Sequence, residues 1–152
     1  MKEEAIGDEK PLPRTQHTAI ATPDNRIFIF GGHHTPQARL NDTWFLNCKD
    51  FEWHRVGKDA DNLTNQASTN GAPEPRANAG STLYQGKIYL FGGHGGLSYE
   101  RKAYNDLFCF DLESETWEKL VPNNSPPDGR GGLSLFASDD NIYIYGGWNQ
   151  EM

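Results

Sequence analysis

Cysteine is scarce in this sequence, which has only Cys48 and Cys109 among its 152 residues. The two do not form a C-x-x-C pair, so the common cysteine-based zinc sites are excluded. So few cysteines are typical of a protein from a reducing compartment. We therefore expect a cytoplasmic protein, with the nucleus as the alternative location.

Long apolar runs are also missing. The first fourteen residues, MKEEAIGDEKPLPR, are charged and contain no apolar segment of the kind found in secretory signals. No part of the chain approaches the ~18 consecutive apolar residues that a transmembrane helix requires. Insertion into a membrane is therefore not expected.

Basic residues are too few for a nucleic-acid surface. Lys and Arg number 14 against 21 Asp and Glu, which gives a formal net charge of -7. Sequence-independent binding to phosphate groups needs clustered positive charge. The sequence therefore predicts no nucleic-acid partner.

Glycine and aromatic residues, in contrast, are abundant and regularly placed. The chain has 16 glycines, and 12% of its residues are aromatic. An aromatic and aliphatic run ends in a double glycine three times, at residues 27–32 (IFIFGG), 88–93 (IYLFGG) and 142–147 (IYIYGG). Such recurrence at a near-constant period is the signature of a repeat architecture.

Other residues recur in step with the double glycines. Arg14, Arg76 and Arg130 are separated by 62 and 54 residues, and Trp53 lies 64 residues before Trp117. The pair Asn-Asp at residues 41–42 likewise recurs at residues 105–106. These spacings exceed the ~40–45 residues of a WD repeat. The sequence also lacks a Trp-Asp dipeptide, so the WD class is excluded.

Each unit divides into four short strands. In the second unit, AGSTLY and KIYLFGG are separated by a turn at residues 85–86 and are followed by NDLFCFDL and TWEKL. Apolar side chains alternate along NDLFCFDL, with Phe108 and Phe110 on one face and Cys109 on the other. Glu113 and Glu115, in the turn between the last two strands, are expected to be solvated. The pattern predicts an all-β protein.

This pattern resembles the kelch-repeat family over residues 13–148, almost the whole chain. The resemblance rests on three features in order: a double glycine after an aromatic strand, an aromatic residue in the following strand, and a tryptophan in the strand after that. Trp44 and Phe108 stand where the family usually has tyrosine. The resemblance implies kelch-type β-propeller blades, each a four-stranded antiparallel meander. The positions expected to be structural in every repeat are Gly31, Gly32, Gly92, Gly93, Gly146, Gly147, Trp53 and Trp117. The two tryptophans, on the outermost strands, are expected to fill the gap between blades.

The repeats divide the chain into a flexible N-terminal segment (1–12), a first blade (13–56), a polar inter-blade loop (57–75), a second blade (76–121) and a partial third blade (122–152). Two and a half blades cannot close a propeller, which typically has ~4–8. We expect the chain to be a fragment of a longer propeller. Two alternatives stay open: a homo-oligomer in which copies cover the open blade faces, and a truncated gene product.

Partner-binding residues are expected on one face. In a meander, the loops after the second and fourth strands lie on the same face, here residues 33–40, 57–74, 95–103 and 122–129. Loops on a rigid scaffold commonly carry function. The residues predicted to contact a partner are His34, Arg39, Tyr99, Arg101, Lys102, Arg14, Arg76 and Arg130. For the three arginines, repetition with the unit favours another interpretation, a structural blade-to-blade hydrogen bond.

The resemblance implies a non-catalytic adaptor or scaffold that binds a peptide or protein segment through these loops. No cofactor is expected, because GGHGG (92–96) does not open a helix as a dinucleotide fingerprint would. No metal is expected either, because His33, His34 and His94 lack carboxylate or cysteine partners at ligand spacing. The alternatives are a metal-dependent kelch-type enzyme, either an oxidase or a small-molecule-processing lyase or isomerase, and a structural self-assembling subunit.

Overall fold

The computed structural model describes residues 10–57, 71–96 and 102–149. Regular structure in these ranges consists of strands, so the all-β prediction is confirmed. This part of the chain has no helix that is long and apolar enough to cross a bilayer. In chain order the strands are β1 (Thr18–Thr22), β2 (Arg26–Thr35), β3 (Ala38–Asn47), β4 (Trp53–Arg55), β5 (Gly80–Tyr84), β6 (Lys87–Phe91), β7 (His94–Gly95), β8 (Lys102–Ala103), β9 (Leu107–Asp111), β10 (Thr116–Leu120), β11 (Gly131–Ser138) and β12 (Asn141–Trp148).

The strands form successive antiparallel sheets. β1 to β4 make a four-stranded sheet in chain order, and β5, β6, β9 and β10 make a second one. β11 pairs with β12, and the short strands β7 and β8 pair with each other. We call the three larger sheets blades 1, 2 and 3. The prediction of kelch-type four-stranded meanders is confirmed, and the described blades do not close into a ring.

Alternating side chains give the middle blade two apolar faces. In β6, Ile88 and Leu90 are fully buried in the cluster shared with blade 1. The intervening Tyr89 packs against the cluster shared with blade 3. A strand buried on both faces needs apolar residues at every position, which explains the continuous aromatic and aliphatic runs before the double glycines.

The largest apolar cluster fills the space between blades 1 and 2. Ring centroids of Phe28 and Phe110 lie 5.2 Å apart, and those of Phe30 and Trp117 lie 4.9 Å apart. Trp117, only 8% exposed, also donates a hydrogen bond from its indole Nε1 to Oγ1 of Thr43 at 2.9 Å. Trp117 belongs to blade 2, whereas its partners Phe30 and Thr43 belong to blade 1. Its side chain therefore fills the gap between the blades, as the sequence predicts.

The double glycines form a close seam between successive blades. Gly31 has a φ of +65°, and a Cβ atom added to it would lie 2.7 Å from the main-chain oxygen of Arg76 in blade 2. The next residue, Gly32, donates its N–H to that same oxygen at 2.9 Å. Gly92 has a φ of +72° and would clash in the same way with the main-chain oxygen of Arg130 in blade 3. Only glycine allows both this conformation and this close approach.

A second row of main-chain hydrogen bonds links the segments that enter the first strands. Asn78 donates its N–H to the carbonyl oxygen of Gln16 at 3.0 Å, and Gly132 donates to that of Asn78 at 2.9 Å. All three residues have a positive φ, which is 56° for Gln16, 58° for Asn78 and 66° for Gly132. Each stands two positions after a repeat arginine, so the sequence period sets the period of these bonds.

Residues 33–40 do not form the long loop that the sequence predicts. β2 continues to Thr35 and β3 begins at Ala38, so only two residues lie between the strands. Beyond the irregularity that follows Phe30, Gly32 pairs with Leu40 and the pairing continues towards the turn. The prediction was wrong because the double glycine bulges the strand without ending it.

Glu115, in the turn between β9 and β10, is also not the solvated residue that was expected. Its carboxylate accepts hydrogen bonds from Nη1 of Arg26 at 2.7 Å and Nε2 of His54 at 3.0 Å, both in blade 1. Burial alone would raise the pKa of Glu115, but the hydrogen bonds outweigh it and hold the pKa below its usual value. This turn therefore fastens blade 2 to blade 1.

The inter-blade role of Trp117 can be tested with a matched pair of variants. We expect Trp117→Ala to lower the free energy of unfolding by about 3–5 kcal/mol, because it opens a cavity between two blades. Trp53 occupies the corresponding position of blade 1, where its ring centroid lies 6.5 Å from that of Trp44 in the same blade. Trp53→Ala should cost clearly less in urea denaturation. Equal losses for the two variants would contradict the packing described.

The Glu115 fastening predicts a pH dependence. At pH 7 we expect Glu115→Gln to destabilise the chain by up to about 1 kcal/mol. A carboxyl group whose pKa is lowered by folding stabilises the folded state at pH values above its unfolded pKa. This stabilisation is lost as the pH falls through the pKa of the folded state. The difference in the free energy of unfolding between wild type and variant should therefore shrink on acidification. Glu113→Gln, exposed in the same turn, is the control. If the difference in the free energy of unfolding is the same at pH 7 and pH 3, the ion pairs are not its source.

Candidate interaction face

The segments that enter the first strands lie against the ends of the second strands. In blade 1, the N–H groups of Thr15 and His33 donate to each other's carbonyl oxygens at 2.9 and 2.8 Å. Ala77 and His94 make the same reciprocal pair in blade 2, also at 2.9 and 2.8 Å. We call this end of the blades the loop face. Because its backbone is paired, side chains on the loop face are presented from a rigid support.

A cleft of about 540 Å³ opens on the loop face of blade 1 between residues 13–16 and residues 33–36. His34 is exposed there, and its Nδ1 lies 2.8 Å from the carbonyl oxygen of Pro13. Since a carbonyl can only accept, Nδ1 carries the proton and donates it. This bond fixes the imidazole at the mouth of the cleft and leaves Nε2 for another contact.

Arg39 provides positive charge beside the cleft. It pairs with His33 across the β2–β3 ladder, and its Nη1 donates to the carbonyl oxygen of Pro36 at 3.0 Å. Burial lowers the pKa of His33, and the positive charge of Arg39 lowers it further. Both effects favour the neutral imidazole of His33, and Arg39 places a guanidinium group beside it.

Lys102 lies on the loop face of blade 2, where it belongs to a small polar cluster. Its Nζ is 3.1 Å from Oε2 of Glu74, which also accepts a hydrogen bond from the hydroxyl of Tyr104 at 2.7 Å. The hydroxyl bond from Tyr104 lowers the pKa of Glu74 against the opposing effect of burial, and the Lys102 ammonium lowers it further. Burial and the Glu74 carboxylate raise the pKa of Tyr104. Lys102 is thus partly neutralised by its own neighbour.

Two of the three repeat arginines have buried side chains, although Arg14 still belongs to the wall of the cleft on blade 1. The side chains of Arg14 and Arg76 are 4% and 0% exposed, and each forms a two-pronged ion pair with an aspartate of its own blade. Because both guanidinium groups are buried, little of either is accessible to a partner, and the role of Arg14 and Arg76 as partner contacts stays a prediction. The blade-to-blade hydrogen bond does exist, but the main chain makes it: Arg76 N–H donates to the carbonyl oxygen of Leu40 at 3.1 Å. Arg130 is half-buried.

The remaining predicted contact residues stay predictions. His34 and Arg39 lie at the same end of the β2–β3 hairpin, and Lys102 lies in β8 of blade 2. Tyr99 and Arg101 lie outside the described residues.

Sequence reasoning missed Glu74 and Tyr104. Glu74 was counted in a polar inter-blade loop, yet its carboxylate binds both Tyr104 and Lys102. A signal existed, because Glu74 stands two residues before a repeat arginine and Tyr104 stands at the position that Leu40 has in blade 1. In the described part of the chain, no three His, Cys, Asp or Glu side chains group together.

Comparison with known proteins agrees with the architecture. Residues 2–152 match the family model described as the KLHDC2/KLHL20/DRC7 Kelch-repeats domain. The chain is 33% identical over 149 residues to Tip elongation aberrant protein 1 of Schizosaccharomyces pombe, a match covering 91% of this chain and 12% of the relative. It is 30% identical over 144 residues to the flagellar outer arm dynein alpha chain of Chlamydomonas reinhardtii, covering 93% of this chain and 3% of the relative.

A third relative is the Drosophila melanogaster host cell factor, 30% identical over 169 aligned positions that cover 95% of this chain and 10% of the relative. The chain therefore spans only a small part of each of these relatives. With a family model matched over nearly its full length, and with the repeated double glycines forming the seams between four-stranded blades, the chain belongs to the kelch-repeat family.

Proposed function

We propose that the chain is a non-catalytic protein-interaction module, an adaptor or scaffold that binds a peptide or protein segment through its loop face. The observation that carries this proposal is the cleft of about 540 Å³ on blade 1, bounded by hydrogen-bonded backbone. A site of this size lies within the ~300–1,000 Å³ range of specific ligand sites. Kelch-repeat relatives support an interaction role at this coarse level.

The chemistry of the cleft favours an acidic segment. Arg39 brings a guanidinium group to its edge, and Nε2 of the exposed His34 can donate to a carboxylate when the ring is protonated. Guanidinium groups recognise carboxylates through charge-assisted hydrogen bonds, and arginine clusters are used to bind acidic motifs. The described residues offer no metal-ligand group that would favour the alternative of a metal-dependent enzyme.

The test is a selection of binding peptides from a random peptide library displayed against the whole chain. Acidic sequences should be enriched, and the variant carrying His34→Ala and Arg39→Lys should bind them at least about tenfold more weakly, since it loses the imidazole and the planar guanidinium fork. Arg39→Lys keeps the charge, so electrostatic attraction at long range is unchanged.

The control is Lys49→Ala, because Lys49 is exposed in the turn after β3, at the opposite end of the blade. It should leave peptide affinity unchanged, and surface variants of this kind should alter the free energy of unfolding by no more than about 0.5 kcal/mol. Selected peptides that bind the His34 and Arg39 variant as well as the wild type, or that are lost with Lys49→Ala, would reject the loop face as the binding surface.

A further inference from the structure

The tip of the β2–β3 hairpin presents a hydroxyl group on the loop face. Thr35 is the last residue of β2, and Pro36 and Gln37 form the two-residue connection to β3. All three residues are exposed. Exposed loop tips with small or polar residues are the parts of a folded chain that other enzymes reach most easily. The hydroxyl group of Thr35 is therefore accessible to a modifying enzyme.

The sequence at this tip is that of a phosphorylation acceptor. One class of protein kinases modifies a serine or threonine that is followed directly by proline, and this dipeptide occurs at residues 22–23, 35–36 and 125–126. Thr22 is only 7% exposed, so a kinase cannot reach it in the folded chain. Ser125 is exposed, but it does not line the cleft on blade 1. Thr35 is both exposed and part of the cleft wall.

A guanidinium group lies next to the Thr35 hydroxyl. Nη1 of Arg39 donates to the carbonyl oxygen of Pro36 at 3.0 Å, so the Arg39 side chain folds over the turn that Thr35 begins. The main-chain N–H of Ala38 donates to Oγ1 of Thr35 at 3.1 Å. A phosphate group attached to Oγ1 would therefore have a main-chain N–H and a guanidinium group beside it.

Phosphorylation would reverse the charge at this edge of the cleft. A kinase transfers the γ-phosphoryl group of ATP to Oγ1 of Thr35. The new P–Oγ1 bond forms as the bond between the γ-phosphorus and the β,γ-bridging oxygen breaks, ADP leaves, and the hydroxyl proton passes to the catalytic base of the kinase. The product has a charge of about −1.5 to −2 at pH 7 and three strong acceptor oxygens. Arginine binds such a group through two parallel charge-assisted hydrogen bonds.

We propose that Thr35 is a phosphorylation site for a proline-directed protein kinase, and that a phosphate on Thr35 binds Arg39 and closes the blade 1 cleft to acidic segments. The regulatory part rests on the proposed function, because Arg39 is the group that receives the partner's carboxylate there. The phosphate occupies the guanidinium donors, and its negative charge repels the acidic segment.

The covalent attachment gives the phosphate an advantage over a partner in solution. Thr35 and Arg39 belong to one short hairpin, in which Thr35 pairs with Ala38 and His33 pairs with Arg39. Two groups joined by a short tether meet at an effective concentration in the millimolar range. A carboxylate from a partner at micromolar concentration competes poorly against that. One phosphate is therefore sufficient to inhibit the site.

The first test asks whether the folded chain accepts phosphate at this position. The whole chain is incubated with ATP and, separately, with a cyclin-dependent and a mitogen-activated protein kinase, which are both proline-directed. Mass spectrometry of proteolytic fragments should find phosphate on Thr35 and none on Thr22. If neither kinase modifies Thr35 in the folded chain, the proposal is wrong.

The second test measures the pairing with Arg39 without any partner. The second pKa of a phosphothreonine is about 6, and a guanidinium group in contact with the phosphate lowers it. A titration followed by phosphorus NMR should therefore give a lower midpoint for the phosphorylated wild type than for phosphorylated Arg39→Gln. Phosphorylated Lys49→Ala, altered at the opposite end of the blade, should titrate like the wild type. The same midpoint in wild type and Arg39→Gln would contradict the pairing.

The third test measures regulation, with the acidic peptides selected on the untreated chain. Kinase treatment should weaken peptide binding at least about tenfold in fluorescence anisotropy, for the wild type and for Ser125→Ala. Treated and untreated Thr35→Ala should bind with the same affinity as each other. A chain fully phosphorylated on Thr35 that binds as well as the untreated chain, or an equal loss in Thr35→Ala, would overturn the regulatory role.

Failure of the proposed function would look different. If the untreated chain binds no acidic peptide, the proposed function and its regulation are both wrong. Mass spectrometry and the phosphorus NMR titration would still decide whether Thr35 is a phosphorylation site whose phosphate pairs with Arg39.

Discussion

Close packing of the double glycines against the next blade is the constraint on which the rest of the structure depends. At Gly31 and Gly92 the chain has a positive φ and leaves no room for a side chain between it and the main-chain oxygen of the following repeat arginine. This contact fixes the distance between blades at one point. The aromatic residues then fill the wider part of the gap, where Phe30 meets Trp117.

The seam also supports the loop face, where we propose that a partner binds. Where the chain passes through the double glycine, strand pairing continues and holds His33 against Thr15. The cleft on the loop face is therefore built on backbone that the seam orders. The buried repeat arginines act at the same place, since Nη1 of Arg14 donates to the carbonyl oxygen of Gly31 at 3.1 Å. A loss of close packing at a seam would loosen the cleft along with the core.

Much of the fold could be predicted from the sequence because repetition multiplies a weak local signal. The period of the double glycines and of Trp53 and Trp117 predicted the blades and the inter-blade tryptophan. The roles of single polar residues could not be predicted, because they depend on which blade a side chain reaches. Glu115 was expected to face solvent, yet it binds blade 1. Arg76 recurs with the repeat, but recurrence alone could not distinguish a buried ion pair with Asp106 from an exposed contact with a partner.

The most direct measurement of the central claim compares two alanine variants by urea denaturation. Gly92 and Gly146 have φ values of +72° and +71°, but only Gly92 faces the carbonyl oxygen of a following arginine among the described residues. Gly146→Ala should cost about 1–2 kcal/mol for the left-handed backbone alone. Gly92→Ala should cost at least about 2 kcal/mol more, because the methyl group forces the blades apart. Equal losses for the two variants would show that the glycines serve the backbone conformation only, and that close packing at the seam does not hold the blades together.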